Sequence, residues 1–463
     1  MIKDLTAGNP LKLILSFALP IFFGNLVMQI FQLSDMIIVG RLIGVNALAA
    51  VGASGPLYLV ILMIAFGFTG GLTIITAQRF GAQDFDGLKK SVFHCHFASF
   101  CASLVITLTM LLFLTPLLHL CNIPPKIFDD AYRFMFVLSL SFPLIVFYNM
   151  LSGLIRALGD SKTPLYFLIF SCVINIVLNF IFIAFLNLGV VGSALGTLIS
   201  NILVVVACYL FIYIKMPLLW YDKQFWKYNP KIMREHLKLA FPMAAQFSIL
   251  SFSIAIVQSV CNSFGEEIIA AFATATRIEQ FATQPLLALG LAMATFSAQN
   301  WGANLLSRIR KGARNTFFVS SAIAILGFIL VRFYGQYAIS IFMEDKNEFI
   351  IATGKQYLLI STPFYLFLGL IFIFRNTIQG MGKPIVPLIS SSLELAVRGF
   401  AAVILAKSLG YVGIFYAGPV AWFVAGVYVT GAYVYIIRQA SKNKMRWKIG
   451  EIRQHLKENG PID

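Results

Sequence analysis

Charged residues are scarce in this chain. Only 12% of its 463 residues are Asp, Glu, Lys or Arg, whereas 59% are hydrophobic and the mean hydropathy is +0.84. Water cannot solvate an apolar surface of this extent, so the composition excludes an ordinary soluble globular protein. The few charges also leave no segment polar and long enough to form a sizeable soluble domain.

The sequence also lacks the motifs of several enzyme classes. It has no glycine-rich phosphate-binding loop, which argues against direct use of ATP, and no serine or cysteine nucleophile in a supporting motif. His94 and His96 are two residues apart, so on a helix their side chains point apart and do not form a metal site. We therefore expect no enzyme activity and no cofactor or metal centre beyond a coupling ion. The six cysteines show neither metal-ligand spacing nor a disulfide pattern, and they are Cys95, Cys101, Cys121, Cys172, Cys208 and Cys261.

Long apolar stretches, in contrast, follow one another along nearly the whole chain. A helix needs roughly 20 mostly apolar residues to cross the hydrocarbon core of a bilayer. Continuous runs such as 104–114 and 323–331 favour helices over a membrane β-barrel, whose short strands would alternate apolar and polar residues. The sequence predicts an all-α integral membrane protein with twelve spans, near 13–39, 47–77, 92–118, 132–155, 164–185, 190–214, 238–262, 267–298, 315–342, 353–378, 385–406 and 411–437.

The formal charge of +16 is distributed unevenly. With twelve spans both termini lie on one side, and segments on that side, including 215–238, 375–383 and 438–457, hold 26 of the 35 Lys and Arg, against 5 on the opposite side. By the positive-inside rule the termini are predicted to be cytoplasmic, in a membrane of the bacterial inner-membrane type. The basic excess is then a topology signal helped by anionic membrane lipid, and no nucleic-acid partner is expected.

The same pattern of prolines, glycines and short motifs occurs in both halves of the chain, at a shift of 221 to 223 residues. Six spans per repeat give both halves the same orientation, so a pseudo-two-fold axis along the membrane normal should relate two six-helix lobes. Two lobes that rock about a central cavity are typical of a transporter, which we expect to act as a monomer. The predicted organisation is an N-lobe at 1–214, a cytoplasmic linker at 215–237, a C-lobe at 238–437 and a basic cytoplasmic tail at 438–463. The matched pairs include Pro20 and Pro242, Gly44 and Gly265, Gln78 and Gln299, Gly159 and Gly382, and Gly189 and Gly410.

Several short motifs resemble those of the multidrug and toxic compound extrusion (MATE) transporters. They are Pro20 followed by Ser34-Asp35, VGRL at 39–42, ALAAVG at 47–52, AQRFGA at 77–82, RALGD at 156–160 and AQNWGA at 298–303. The resemblance covers essentially the whole chain and implies export of amphipathic, often cationic small molecules, driven by inward flow of protons or sodium ions. The motifs do not encode the cargo. Because related members of the same superfamily move lipid-linked sugars, a flippase for a lipid-linked precursor is the alternative function.

Asp35 is one of only three acidic residues within the predicted spans. An ionisable group at membrane depth costs roughly 2.5 to 3.5 kcal/mol, which makes it a functional candidate. Burial favours the neutral acid, so such a carboxyl can be neutral or charged depending on what is bound, as a proton-coupled carrier requires. By resemblance, the first-lobe cation site falls on Asp35, Asn175, Asn179 and Thr197. The structural alternative is hydrogen bonding between helices, and the choice between proton and sodium stays open because some relatives carry an acid at the position of Asn179.

The second lobe carries different ionisable residues. Gln258 corresponds to Asp35 in the repeat and the seventh span has no carboxylate, so no second cation site is carried over. Glu394 and Arg398 are four residues apart on the eleventh span and can pair on one face. The charged residues of this lobe are therefore either structural or part of a substrate cavity. The candidate cavity residues are Met28, Gln258, Arg277, Glu279, Glu394 and Arg398.

Pro20 removes a backbone hydrogen bond from the first span and predicts a bend there. The family resemblance suggests that cation uptake near Asp35 bends the first span at Pro20 and shrinks the first-lobe cavity. In the flippase alternative, Arg277, Arg332 and Arg398 would bind phosphate groups. A membrane-embedded transferase is a third possibility, but no catalytic cluster in the sequence supports it.

Overall fold

The computed structural model describes residues 2–341 and 347–459, with side chains described up to residue 442. No strand occurs in these ranges. Twelve helical segments are long and apolar enough to span a membrane, which confirms the predicted all-α class and the predicted number of spans. The last four residues of the predicted basic tail lie outside the described part of the chain.

Each half of the chain contributes six spans. The first six helices are α1 Pro10–Leu42, α2 Val45–Gly81, α3 Phe85–Leu120, α4 Pro125–Ala157, α5 Lys162–Phe180 and α6 Gly189–Lys215. The second half contains α7 Pro230–Cys261, α8 Glu266–Gly302, α9 Leu306–Ser340, α10 Glu348–Ser361, α11 Tyr365–Gly380, α12 Ile385–Leu409 and α13 Tyr411–Asn459. The helices α10 and α11 together form the tenth span, joined by a 3-10 turn at Thr362–Phe364.

The N-termini of corresponding helices in the two halves have the same local structure. Asn9 caps α1 by accepting the backbone N–H groups of the first turn, and Asn229 does the same for α7. An Asn at this position satisfies donors that have no partner within the helix. Gly44 and Gly265 precede α2 and α8 with φ of 117° and 91°, backbone conformations that only glycine adopts readily. The two lobes therefore share their entry geometry as well as their span count.

The link between the lobes is shorter than the predicted 215–237 segment. After α6 ends at Lys215, the chain makes two 3-10 turns, Pro217–Leu219 and Lys223–Phe225, and α7 then begins at Pro230. The Asn229 N–H donates a hydrogen bond of 2.9 Å to His94 Nε2 on α3. The linker is thus tied to the N-lobe immediately before the C-lobe begins.

Small residues let the lobes approach closely on the side of the N-terminus, called here the inner side. A Cβ at Gly71 would lie 2.8 Å from the backbone nitrogen of Ala240, and one at Gly67 would lie 2.6 Å from the Met243 carbonyl oxygen. Backbone contact of this kind holds membrane helices together without a hydrophobic driving force. The result is a close seam between α2 and α7 in the inner half of the protein.

Candidate functional site

Asp35 lies in the outer half of α1, in a polar cluster between α1, α5 and α6. Its Oδ1 accepts hydrogen bonds from Asn179 Nδ2 at 2.7 Å and from Ser193 Oγ at 2.8 Å. Asn179 and Ser193 are fully buried, whereas Asp35 is partly buried. Within the described chain no hydrogen bond reaches Asp35 Oδ2, so one carboxylate oxygen remains available for a ligand.

Asn175 and Thr197 extend this cluster inward. The Asn179 amide nitrogen also donates to Asn175 Oδ1 at 3.1 Å, and Asn175 Nδ2 donates to Thr197 Oγ1 at 3.1 Å. The two asparagines are one turn apart on α5 and therefore share a face. The structure brings all four predicted residues into one network, in which Thr197 is connected to Asp35 through the asparagines.

Ser193 is a member of the cluster that was not selected from the sequence. It lies one turn before Thr197 on α6, so both hydroxyls are on the same face of that helix. The sequence signal was therefore present. The choice of the hydroxyl that contacts Asp35 depends on how α6 is positioned against α1, which the sequence does not specify.

Asn179 also presents a buried oxygen without a partner. Its two amide hydrogens are directed to Asp35 and Asn175, while its Oδ1 has no hydrogen-bond partner. A Cβ at Gly196 would meet this Oδ1, so glycine leaves room for the amide. Two residues after Asn179 the helix becomes π-helical, at Ile181–Phe185, a distortion frequent at functional sites. A buried oxygen without a partner, in a residue that also contacts a carboxylate, calls for an explanation that a bound cation or water would supply.

The chemistry of the cluster suits either a proton or a sodium ion. A proton would bind the carboxylate of Asp35 and convert it from an acceptor into a donor. A sodium ion would use hard oxygen ligands, and the cluster contains carboxylate, amide and hydroxyl oxygens at close range. In the described ranges no group of three or more His, Cys, Asp or Glu suits another metal.

In the C-lobe, Glu394 lies between two arginines. Its Oε1 accepts a hydrogen bond from Arg398 Nη2 at 2.6 Å, and its Oε2 is 3.9 Å from Arg375 Nη1. Arg375, which is counted with the inner-side charges of 375–383 and also falls inside the predicted span 353–378, is only 4% exposed and lies within α11. A charge is buried only when it is paired, and Glu394 supplies that pairing.

Glu279 and Arg277 do not pair with each other. The Tyr357 hydroxyl donates to Glu279 Oε2 at 3.0 Å and so links α8 to α10. Arg277 is exposed, as is Arg332 on α9, and neither takes part in an ion pair within the described residues. Arg277 and Glu279, although only two residues apart, therefore lie in different environments.

The remaining cavity candidates lie apart from these pairs. Gln258 Nε2 donates to Asn262 Oδ1 at 2.8 Å near the outer end of α7. Met28 is 39% exposed on α1. Their contact with a substrate stays a prediction.

A small cavity of about 80 Å³ lies between the lobes in the inner half. Its polar lining includes Arg156 from α4 and Asn376 and Gln379 from α11. Arg156 and Gln379 are repeat-related positions, since Gly159 and Gly382 follow each of them by three residues. None of the predicted cavity residues lines this space. The RALGD motif and the repeat register together could have identified it.

Two glutamines close the inner side below this cavity. Gln78 Nε2 donates to the Gly380 carbonyl at 2.8 Å, and Gln299 Nε2 donates to the Ala157 carbonyl at 2.8 Å. Gln78 corresponds to Gln299 in the repeat, and Ala157 corresponds to Gly380. Each lobe therefore donates the same hydrogen bond to the other. The inner side is therefore sealed with pseudo-two-fold symmetry.

Residues 3–8, the N-terminal strap, break this symmetry. The Lys3 N–H donates to the Leu158 carbonyl of the N-lobe at 2.9 Å. The Leu5 N–H donates to Gln299 Oε1 at 2.9 Å, and the Leu5 carbonyl accepts from Asn300 Nδ2 at 3.1 Å, both in the C-lobe. Leu5 is completely buried. In the described part of the chain, all hydrogen bonds joining the N-lobe and strap to the C-lobe lie at this inner end, so the lobes are closed there.

Comparison with known proteins follows the same two-lobe division. A family model described as MatE matches residues 20–181 and again 242–403, two copies separated by the repeat interval. The "Probable multidrug resistance protein YpnP" of Bacillus subtilis (strain 168) is 28% identical over 391 residues, covering 82% of this chain and 84% of that protein. The "Probable multidrug resistance protein YoeA" of the same organism is 27% identical over 430 residues, covering 91% and 92%. The solved "Outward-facing conformation of a multidrug resistance MATE family transporter of the MOP superfamily" has a TM-score of 0.88 at 23% identity, covering 95% of this chain and 98% of that one, and so shares its fold.

Proposed function

Because the chain belongs to the MatE family, we propose that it is a secondary active multidrug exporter, which moves amphipathic, often cationic small molecules by antiport with protons or sodium ions. The observation that carries the proposal is the Asp35 cluster inside the N-lobe, where the carboxylate accepts from the amide nitrogen of Asn179 and the oxygen of that amide is buried without a hydrogen-bond partner in the described structure. The relatives named as probable multidrug resistance proteins support the class of cargo. Alternating exposure of the space between the lobes would carry that cargo across, within a single monomer.

We place the inner side in the cytoplasm of a bacterial-type cell membrane. The excess of Lys and Arg on the side of the termini supports this orientation. With this orientation, the closed side of the protein is cytoplasmic, and the Asp35 cluster in the outer half of α1 is reached from outside. Cations flowing inward would then meet Asp35 before the cargo is released.

Pro20 would couple the cation to the cargo. It is buried in the same helix as Asp35, 15 residues and roughly 22 Å further inward at 1.5 Å per residue. Binding of a cation at Asp35 would compete with its hydrogen bonds to α5 and α6, and the freed α1 would bend where Pro20 already lacks a backbone hydrogen bond. Pro20→Ala should lower the export rate, with Pro242→Ala as the repeat-related control. Normal export by Pro20→Ala would count against the hinge.

Export of the cargo from proteoliposomes under an imposed proton or sodium gradient tests whether transport is coupled to either ion. Asp35→Asn should abolish accumulation against a gradient, because the amide cannot exchange a proton and carries no charge for sodium. Asp129→Asn is the matched control, since Asp129 is an exposed acid paired with Arg133 one turn away on α4. Uphill export by Asp35→Asn at the rate of the control would refute the proposed site.

Hydroxyl substitutions distinguish the two ions. A sodium site would use the oxygens of Ser193 and Thr197 as ligands, whereas a proton needs only the carboxylate. Thr197→Val should therefore leave proton-driven export intact and impair sodium-driven export. Equal losses under both gradients would indicate that Thr197 acts through the network rather than as a ligand.

Flipping of a lipid-linked precursor is the second candidate. Arg277 and Arg332, exposed and without an ion pair in the part of the chain that the structure describes, are compatible with phosphate binding, whereas Arg398 is held by Glu394. Movement of a lipid-linked sugar in the same proteoliposomes, independent of any gradient, would favour this function over drug export.

A further inference from the structure

A groove runs along the membrane-facing side of α1, where α1 meets α8 and α9. Its volume is about 700 Å³, within the range of roughly 300–1,000 Å³ typical of ligand sites. The walls include Leu15, Leu19 and Phe22 of α1, with Pro285 of α8 and Ile323 of α9 opposite. Leu15 and Leu19 are 38% and 57% exposed, so the apolar wall is not covered by protein.

The groove is about as deep as one leaflet. It extends along α1 from Asn9 to Phe22, which is roughly 20 Å of helix. Half of a hydrocarbon core of about 30 Å is about 15 Å. The inner end of the groove therefore lies at headgroup level, and its far end lies near the bilayer midplane.

The inner end is basic. A second cavity of about 310 Å³ shares Asn9 with the groove and is lined by Ser307, Arg308 and Lys311. Lys12, in the groove, and Lys311 are exposed and have no ion pair within the described residues. The nearby acid Asp4 has its Oδ1 occupied by the N–H and hydroxyl of Thr6. The mouth is thus a headgroup-sized pocket with an excess of positive charge.

We propose that this groove and its basic mouth bind an anionic phospholipid from the inner leaflet. An acyl chain would lie in the apolar groove, and Lys12 and Lys311, at the mouth, would bind the phosphate. A positively charged amphiphile would meet repulsion at the same mouth, so the charge favours lipid over cationic cargo. The cavity at the mouth also includes Gly8 and Arg308, which are joined by a hydrogen bond of 2.9 Å that anchors the N-terminal strap. A bound lipid is therefore expected to favour the closed inner side.

Photocrosslinking in nanodiscs tests the site without any transport assay, so its outcome is independent of the proposed export. The full chain would be reconstituted in phosphatidylcholine with a trace of either phosphatidylglycerol or phosphatidylcholine carrying a photoreactive acyl chain. Mass spectrometry would then locate the labelled residues. We expect phosphatidylglycerol to label Leu15, Leu19 and Ile323 in preference to phosphatidylcholine.

Variants that remove the basic residues at the mouth test whether their charge causes the preference for the anionic lipid. Lys12→Gln combined with Lys311→Gln should reduce the preference for phosphatidylglycerol roughly 20- to 30-fold, at about fivefold for each basic residue near the surface. Arg234→Gln combined with Lys162→Gln removes two other exposed charges on the inner side and should leave the preference unchanged. Equal labelling by both lipids, an equal effect of the control, competition by glycerol phosphate alone, or displacement by a cationic amphiphile would each overturn the proposal.

Discussion

Replacing Leu5 by alanine should open the inner side. Leu5 is fully buried and hydrogen-bonded to Gln299 and Asn300, while Lys3 of the same strap is bonded to Leu158 in the other lobe. The lobes cannot separate at this end while both sets of contacts persist, so burial of Leu5 stabilises only the closed state. Truncation of a buried Leu to Ala costs about 2–5 kcal/mol. With a value of about 3 kcal/mol, the ratio of open to closed molecules should rise about 100-fold.

Distance measurement between spin labels would report this ratio. Labels at Asp86 and Ser307, exposed positions in the first turns of α3 and α9, lie on opposite lobes at the inner side. In nanodiscs and a background without native cysteines, Leu5→Ala should populate a longer distance than the wild type. Ile2→Ala is the control, since Ile2 is 40% exposed. An unchanged distance distribution in a folded Leu5→Ala protein, or an equal shift in the control, would refute the role of the strap.

Three further substitutions have predictable effects. Gly196→Ala should abolish gradient-driven export in proteoliposomes, because the new Cβ would meet Asn179 Oδ1 and displace the amide from the cation cluster. Glu394→Gln should lower the free energy of unfolding by about 3–5 kcal/mol, measured by denaturation in detergent, because it leaves buried arginine charge without an anionic partner. Asp160 lies in the loop between α4 and α5. Burial raises its pKa, but hydrogen bonds, including those from the N–H and the hydroxyl of Thr163, together have the larger effect. The pKa of Asp160 is therefore below its ordinary value. Its stabilising effect should therefore be present above the ordinary pKa of about 4 and be lost as the pH falls below it, and Asp160→Asn should flatten this acid limb of the stability curve.

Each of these predictions has a matched control. Gly431→Ala adds a methyl group to a helical glycine with open space around it and should leave export unchanged. Glu348→Gln removes an exposed acid in the first turn of α10 and should change stability far less than Glu394→Gln. Asp222→Asn, at an exposed linker acid, should leave the acid limb intact. A control that behaves like its test variant would contradict the corresponding argument.

Much of the architecture was predictable because the membrane imposes strong constraints on sequence. Apolar stretches long enough to cross the bilayer predicted the twelve spans, and repeated prolines, glycines and motifs predicted the two lobes. The partner of a buried charge was harder to predict. Arg375 falls inside the predicted span 353–378, and it is buried in α11, where Glu394, a neighbour only in space, compensates its charge.

The candidate cation site, too, was predictable only in part from the sequence. The helical period puts Asn175 and Asn179 on one face, and the family resemblance pairs them with Asp35 and Thr197. The direct contact from Ser193 depends on the rotation and height of α6 relative to α1. A one-turn displacement of the helix would exchange Ser193 for Thr197, and periodicity within a single helix contains no information on that displacement.

The sequence by itself determined the class, the number of spans and the repeat, because each depends on hydrophobic length and local backbone chemistry. The low content of charge had a consequence that only the tertiary structure revealed. A buried charged side chain needs a specific partner, and where that partner lies on another helix, packing makes the choice. Tertiary structure alone decided that Arg375 also approaches Glu394, that Glu279 accepts from a tyrosine, and that the strap joins the two lobes at the inner side.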